Sequence, residues 1–144
     1  MDLQLGDRTT NNVTNRRATD QMNQEQELHV PSQGMAFFLF GKTEPFSIRT
    51  EDLIYLGRLE KETTEAFVDL ALVDGFSLGV SRKHAMIQRV DNRCEITDLG
   101  SSNGTYLNGE RILPSNPHEL KSGTVIQLGR LKLIAIFSWI TSRS

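Results

Sequence analysis

The sequence predicts an all-β fold built as a sandwich of two packed sheets, and three observations lead there. After Gly34 the chain divides into short apolar or alternating runs separated by turn residues. Residue pairs suited to two-residue hairpin loops stand at Asp91-Asn92, Asn108-Gly109 and Gly129-Arg130, because Asn-Gly and Gly-X accept the positive φ values such loops require. No stretch holds a helical period through three turns, and strands at this spacing pack as two sheets.

Taken in order, residues 1–34 are dominated by Asn, Gln, Thr and charges, and the scattered Leu3, Leu5, Val13 and Leu28 keep no period. This segment reads as a disordered polar tail, which leaves residues 35–144 as one folded domain. Met35 to Phe40 and Phe46 to Arg49 flank a turn from Gly41 to Pro45, and Leu53 to Leu56 runs into Gly57-Arg58. Further strands are expected over Phe67 to Val73, Ala85 to Val90, Cys94 to Thr97, Thr105 to Leu107 and Thr124 to Leu128. Leu131, Leu133, Ala135 and Phe137 alternate most clearly, which sets four apolar side chains on one face of a strand that closes the core.

The 144 residues carry 16 basic against 18 acidic side chains, a formal charge of −2. Three arginines and five acidic residues of that total fall within 1–34, leaving 13 of each sign beyond it. No overall attraction to nucleic acid or to an anionic membrane follows, so any anion recognition must be local. Cys94 is the only cysteine, which excludes an intrachain disulfide, argues against a cysteine zinc site and fits a reducing compartment. No apolar run reaches the length of a membrane span, and the N-terminus lacks the basic-then-apolar order of a signal peptide. A cytoplasmic protein is expected.

The chemistry concentrates in Gly57-Arg58, Ser81-Arg82-Lys83-His84-Ala85 and Asp98-Leu99-Gly100-Ser101-Ser102-Asn103-Gly104-Thr105. A phosphate monoester offers three strong acceptor oxygens and nearly two negative charges, so it selects guanidinium, hydroxyl and amide donors. Arg58, Ser81, Arg82, Ser102 and Asn103 are such donors, and Gly57, Gly100 and Gly104 permit the tight turns that present them. Each segment alone is an ordinary turn. Leu128-Gly129-Arg130 repeats the Gly-Arg pair in a late hairpin, where no phosphate contact is expected. In this order, and ahead of Tyr106-Leu107-Asn108-Gly109, the segments resemble the forkhead-associated domain, a family of phosphothreonine-peptide binders, from Phe38 to Phe137.

The resemblance implies a sandwich of about eleven strands and assigns roles residue by residue. Arg58, Ser81, Arg82 and Ser102 match positions that contact phosphate, and Asn103 matches one that hydrogen-bonds the peptide backbone beside the phosphothreonine. His84 matches a brace for its loop, while Gly57, Gly104 and Asn108 match positions that shape or join loops. The preference for threonine is also an implication of the family, since one methyl contributes only about 0.8 kcal/mol by area and ~1–3 kcal/mol in a shaped pocket. Hydrogen bonds to a charged group contribute about 1.5–3 kcal/mol each, so three or four, less the ordering of the peptide, correspond to roughly micromolar affinity. The implied partners are phosphothreonine proteins and the Ser/Thr kinase that makes them, with no metal and no cofactor. Glu60 to Glu65 and Asp74 to Gly79 lengthen the family's usual spacing, so the preference beyond the phosphothreonine belongs to this chain.

Two other readings use the same residues. Gly75-Phe76-Ser77-Leu78-Gly79 fits the G-x-S-x-G elbow of a serine esterase, and Asp98 and His118 complete its chain order. That elbow requires a strand before Ser77 and a helix after it; neither pattern is present, and His118 behind Pro117 reads as an exposed loop residue. No G-x-x-x-x-G-K-[ST], H-E-x-x-H or G-x-G-x-x-G motif occurs, so no catalytic residue is expected. The second reading is a phospho-independent interaction module, because fold does not fix function. In the tail, Arg16-Arg17-Ala18-Thr19 has the basic spacing that some Ser/Thr kinases prefer. Phosphorylated Thr19 on a flexible tether would reach the domain's own site at an effective concentration of order mM.

Overall fold

The computed structural model describes residues 34–138. Segment 1–34, apart from Gly34, lies outside them, and so does Thr19. Eleven strands follow one another: β1 Met35–Leu39, β2 Ser47–Arg49, β3 Leu53–Gly57, β4 Phe67–Asp69, β5 Lys83–Val90, β6 Arg93–Asp98, β7 Thr105–Leu107, β8 Glu110–Arg111, β9 His118–Leu120, β10 Thr124–Leu128 and β11 Leu131–Phe137. They form a five-stranded sheet in the order β9-β6-β5-β3-β4 and a six-stranded sheet in the order β2-β1-β11-β10-β7-β8. Every pairing is antiparallel except that of β3 with β4.

The core lies between the sheets because the period of two sends alternate side chains inward. Ile54, Leu56, Ile87 and Ile96 from one sheet meet Phe37, Ile126, Leu128 and Leu133 from the other, and none is more than 1% exposed. Each such side chain contributes about 1.5–3 kcal/mol by leaving water. Leu131, Leu133 and Ala135 face this core from β11, which runs between β1 and β10, while Phe137 is only partly buried. Cys94 is one more core side chain, and burial pushes its thiol up to about 12 against the pull of the Arg89 charge. The hairpins turn through positive φ at Asp91, at Asn108-Gly109 and at Gly129.

Two expectations are corrected. The run from Phe67 to Val73 is a strand only as far as Asp69; Leu70–Val73 is a turn of 3₁₀ helix. The Asp69 carboxylate accepts from the Ala71 N–H at 3.0 Å and so caps that turn, a local bond that competes with the sheet ladder. His118 is not in an exposed loop. It opens β9 opposite Ile96, is half-buried, and its Nε2 is enclosed without a hydrogen-bond partner among the described residues.

Strand direction decides where the loops gather. Met35 pairs with Phe137 at one end of the sandwich, and Leu39 pairs with Leu133 toward the other. The β3–β4, β4–β5, β6–β7 and β10–β11 connections all reach that second end. Backbone bonds tie them there: Arg58 N–H to the Arg82 carbonyl at 2.9 Å, Gly129 N–H to the Gly104 carbonyl at 3.0 Å, and Arg130 N–H to the Leu78 carbonyl at 2.7 Å. Among the described residues no helix is long and apolar enough to cross a membrane.

Candidate functional site

The last residue of β3 must be glycine for this end of the sandwich to close. A Cβ on Gly57 would overlap the Arg82 carbonyl oxygen, so the close approach of the two loops excludes any side chain there. Arg58 then projects over the loop end, half-buried, with Nε donating to the Val80 carbonyl at 2.7 Å and the guanidinium carbon 4.9 Å from the centre of the Phe76 ring. Its terminal amines remain free of these contacts.

A bulge aims His84 inward. Leu56 pairs with Ala85 and Gly57 with Lys83, so His84 is the extra residue on β5 and both it and Ala85 are buried. Its Nδ1 accepts the Ser81 N–H at 3.0 Å, which leaves the proton on Nε2 to be donated to the Gly104 carbonyl at 2.8 Å. One neutral ring thereby joins the loop before β5 to the loop before β7. Burial holds the imidazole below its ordinary value, against the raising influence of the Gly104 bond and the nearby Asp98 charge.

Asp98 is the second buried anchor. It ends β6 on the same face as Cys94 and Ile96, which directs its carboxylate between the sheets. It accepts from the Thr105 hydroxyl at 2.6 Å, the Ser101 hydroxyl at 2.7 Å, and the N–H groups of Gly100 and Ser101 at 3.0 and 3.1 Å. Burial raises its pKa, but these hydrogen bonds outweigh that and hold it below the ordinary carboxylate value. The Ser101 hydroxyl also accepts the Gly104 N–H at 2.9 Å, so the β6–β7 loop is folded around one carboxylate. No motif in the sequence assigns Asp98 this role, because its partner Thr105 belongs to the other sheet and is brought beside it only by the fold.

On this frame the five donors stand at the same end of the sandwich. The Ser81 hydroxyl accepts the Ser102 N–H at 3.1 Å, joining the two loops again at the surface. Asn103, exposed, donates through Nδ2 to the Gly79 carbonyl at 3.0 Å. Arg82 is exposed beside Glu60, 3.0 Å from Nε to the carboxylate. Asn108 lies elsewhere: its side chain accepts the Val125 N–H at 2.9 Å and fastens the β7–β8 hairpin to β10. Lys83 pairs with Glu65 at 3.1 Å over the Tyr55 ring. Arg130 donates to the Ser77 carbonyl at 2.6 Å and so props the β4–β5 loop. That contact spans 53 residues and has no local signal.

The esterase geometry does not assemble. The Ser77 hydroxyl donates to the Asp74 carbonyl at 3.2 Å, the Asp98 oxygens are occupied as above, and His118 lies in β9. Ser77 sits in a turn that follows the 3₁₀ segment, without a helix behind it. What the loop end presents is a set of hydrogen-bond donors beside a cleft of about 260 Å³ lined by Arg58, Glu60, Glu62, Thr63, Arg82 and Lys83, among others. Among the described residues no three metal-ligating side chains cluster.

The FHA domain profile matches residues 54–129. The chain belongs to the forkhead-associated (FHA) domain family. It is 46% identical over 57 residues to an oxoglutarate dehydrogenase inhibitor of Corynebacterium diphtheriae, a match covering 40% of this chain and 38% of that one. The counterpart from Corynebacterium jeikeium is 40% identical over 80 residues, covering 53% and 51%. The chain thus spans about half or less of the length of these curated relatives. A solved structure from a study of phosphothreonine-dependent FHA domain interactions superposes with a TM-score of 0.56 at 25% identity, covering 72% of this chain and 96% of the other.

Proposed function

We propose that this FHA domain is a phosphothreonine-dependent peptide-binding module that links a Ser/Thr kinase to a client protein without catalysing a reaction. The observation that carries this reading is that Arg58, Ser81, Arg82, Ser102 and Asn103 stand on three loops bonded to one another at one end of the sandwich. Because the Ser81 oxygen accepts the Ser102 N–H, its own hydroxyl proton is available to a phosphate oxygen. The terminal amines of Arg58 and the guanidinium of Arg82 supply the charge, and Ser102 adds a hydroxyl. Asn103, held by Gly79, keeps its carbonyl and one amide proton for the peptide backbone.

On this reading residues 35–144 form the binding domain, residues 1–34 a polar tail, and the protein works in the cytoplasm. Relatives named as inhibitors of an enzyme fit a module that regulates by docking. The test is titration with an oriented phosphothreonine peptide library and its unphosphorylated twin. Binding at roughly micromolar Kd is expected for the first alone. Arg58→Ala should weaken it about 10- to 100-fold, the loss of hydrogen bonds to a charged group, and Ser81→Ala should weaken it as well. Equal binding to both libraries would overturn the reading in favour of a phospho-independent module.

A further inference from the structure

We infer that Glu60 determines which flanking residue the site accepts, an inference that rests on the phosphothreonine reading. Four cationic side chains, Arg58, Lys61, Arg82 and Lys83, and three carboxylates, Glu60, Glu62 and Glu65, line the cleft. Lys83 holds Glu65 at 3.1 Å, and Arg82 holds Glu60 at 3.0 Å. Glu60 is therefore seated on a guanidinium that an incoming phosphate requires. The phosphate brings three oxygens and nearly two charges against two oxygens and one charge, so it displaces the carboxylate. Both side chains are largely exposed, 72% for Arg82 and 53% for Glu60, and breaking such a pair lowers affinity by only about two- to fivefold.

Displacement has a second consequence. With the phosphate counted, four cations face three carboxylates and about two further negative charges, so the occupied cleft is short of positive charge by roughly one unit. The released Glu60 carboxylate is where a cation would fit. A Lys or Arg beside the phosphothreonine completes the cleft, and an Asp or Glu there is repelled. The preferred ligand is thus a phosphothreonine with a basic neighbour.

Calorimetry tests this with phosphothreonine peptides carrying Arg, Ala or Glu at the two residues on either side, alongside unphosphorylated controls, against the full chain and Glu60→Gln. The native chain should bind the Arg peptide tightest and the Glu peptide weakest, a spread of about tenfold. Glu60→Gln should bind the Ala peptide about two- to fivefold tighter than the native chain and narrow the spread to about threefold or less. In an Arg82→Gln background the gain on the Ala peptide should vanish. A Glu60→Gln variant that leaves either the Ala-peptide affinity or the spread unchanged overturns the inference, as does a gain that survives without Arg82. If the native chain fails to separate phosphorylated from unphosphorylated peptides, the functional reading falls and this inference with it.

Discussion

The loop end of the sandwich is built in two ways. The β4–β5 and β6–β7 loops are fastened from beneath by His84 and Asp98, both at most 2% exposed: His84 bonds its own loop at Ser81 and the neighbouring loop at Gly104, and Asp98 gathers the β6–β7 loop through Gly100, Ser101 and Thr105. The β3–β4 loop, which forms the rim of the cleft, is tied at its start by the Arg58 N–H on the Arg82 carbonyl and the Leu59 N–H on Asp69, and beyond that by a local Thr63–Glu65 bond and ion pairs between exposed side chains. Buried bonds of the first kind cost several kcal/mol to break, whereas exposed pairs are worth about 0–1 kcal/mol each. The half that presents Ser81, Ser102 and Asn103 is fixed by the fold, and the half that carries Glu60 is free to vary its choice of neighbour without endangering it.

Asp98 is where the two halves should differ most. Asp98→Ala removes the acceptor of four hydrogen bonds and leaves two backbone N–H groups and two hydroxyls without it, so a loss of about 3–5 kcal/mol is expected in urea unfolding. A loss under about 1 kcal/mol would place this loop in the same class as the rim.

A smaller effect, and one the rim should lack, is a dependence on pH. The His84 pKa is lowered chiefly by burial, so the unfolded chain takes up the proton more readily than the folded one. The stability tied to the neutral ring is present above about 6.5 and is lost as the pH falls through that value toward the folded pKa. Asp98, also lowered, adds its own loss only below about 3.8. Urea midpoints taken from pH 7.5 to pH 5 should fall, and His84→Gln should flatten that part of the profile. The least effect is expected at the rim. Glu65→Gln, which unpairs Lys83, should change stability by less than about 0.5 kcal/mol, within the error of the same assay.

Much of this was legible in the chain, and the reasons differ by element. Thr105 to Leu107, Thr124 to Leu128 and Leu131 to Phe137 are strands to the residue, because turn residues or a clean alternation mark both ends. The strand from Phe67 stops short of Val73 because Leu70 to Val73 is apolar throughout, with no period of its own to tell strand from helix, and the cap at Asp69 ends the ladder. The five donors stand out by chemical type beside glycines. The roles of Asp98, Arg130 and Glu60 were hidden because each is defined by a partner brought near by the fold: Thr105 in the other sheet, Ser77 across 53 residues, Arg82 across the cleft.

The pairing of Met35 with Phe137 has a consequence for architecture. The first and last strands of the described unit run side by side, and their outer ends meet at the pole of the sandwich remote from the loops. Polypeptide enters and leaves through adjacent doorways, as in units that tolerate insertion into a host loop. Spliced into another protein at that pole, the domain would hang like a plug on two neighbouring wires, its loop end turned outward whatever was attached behind it.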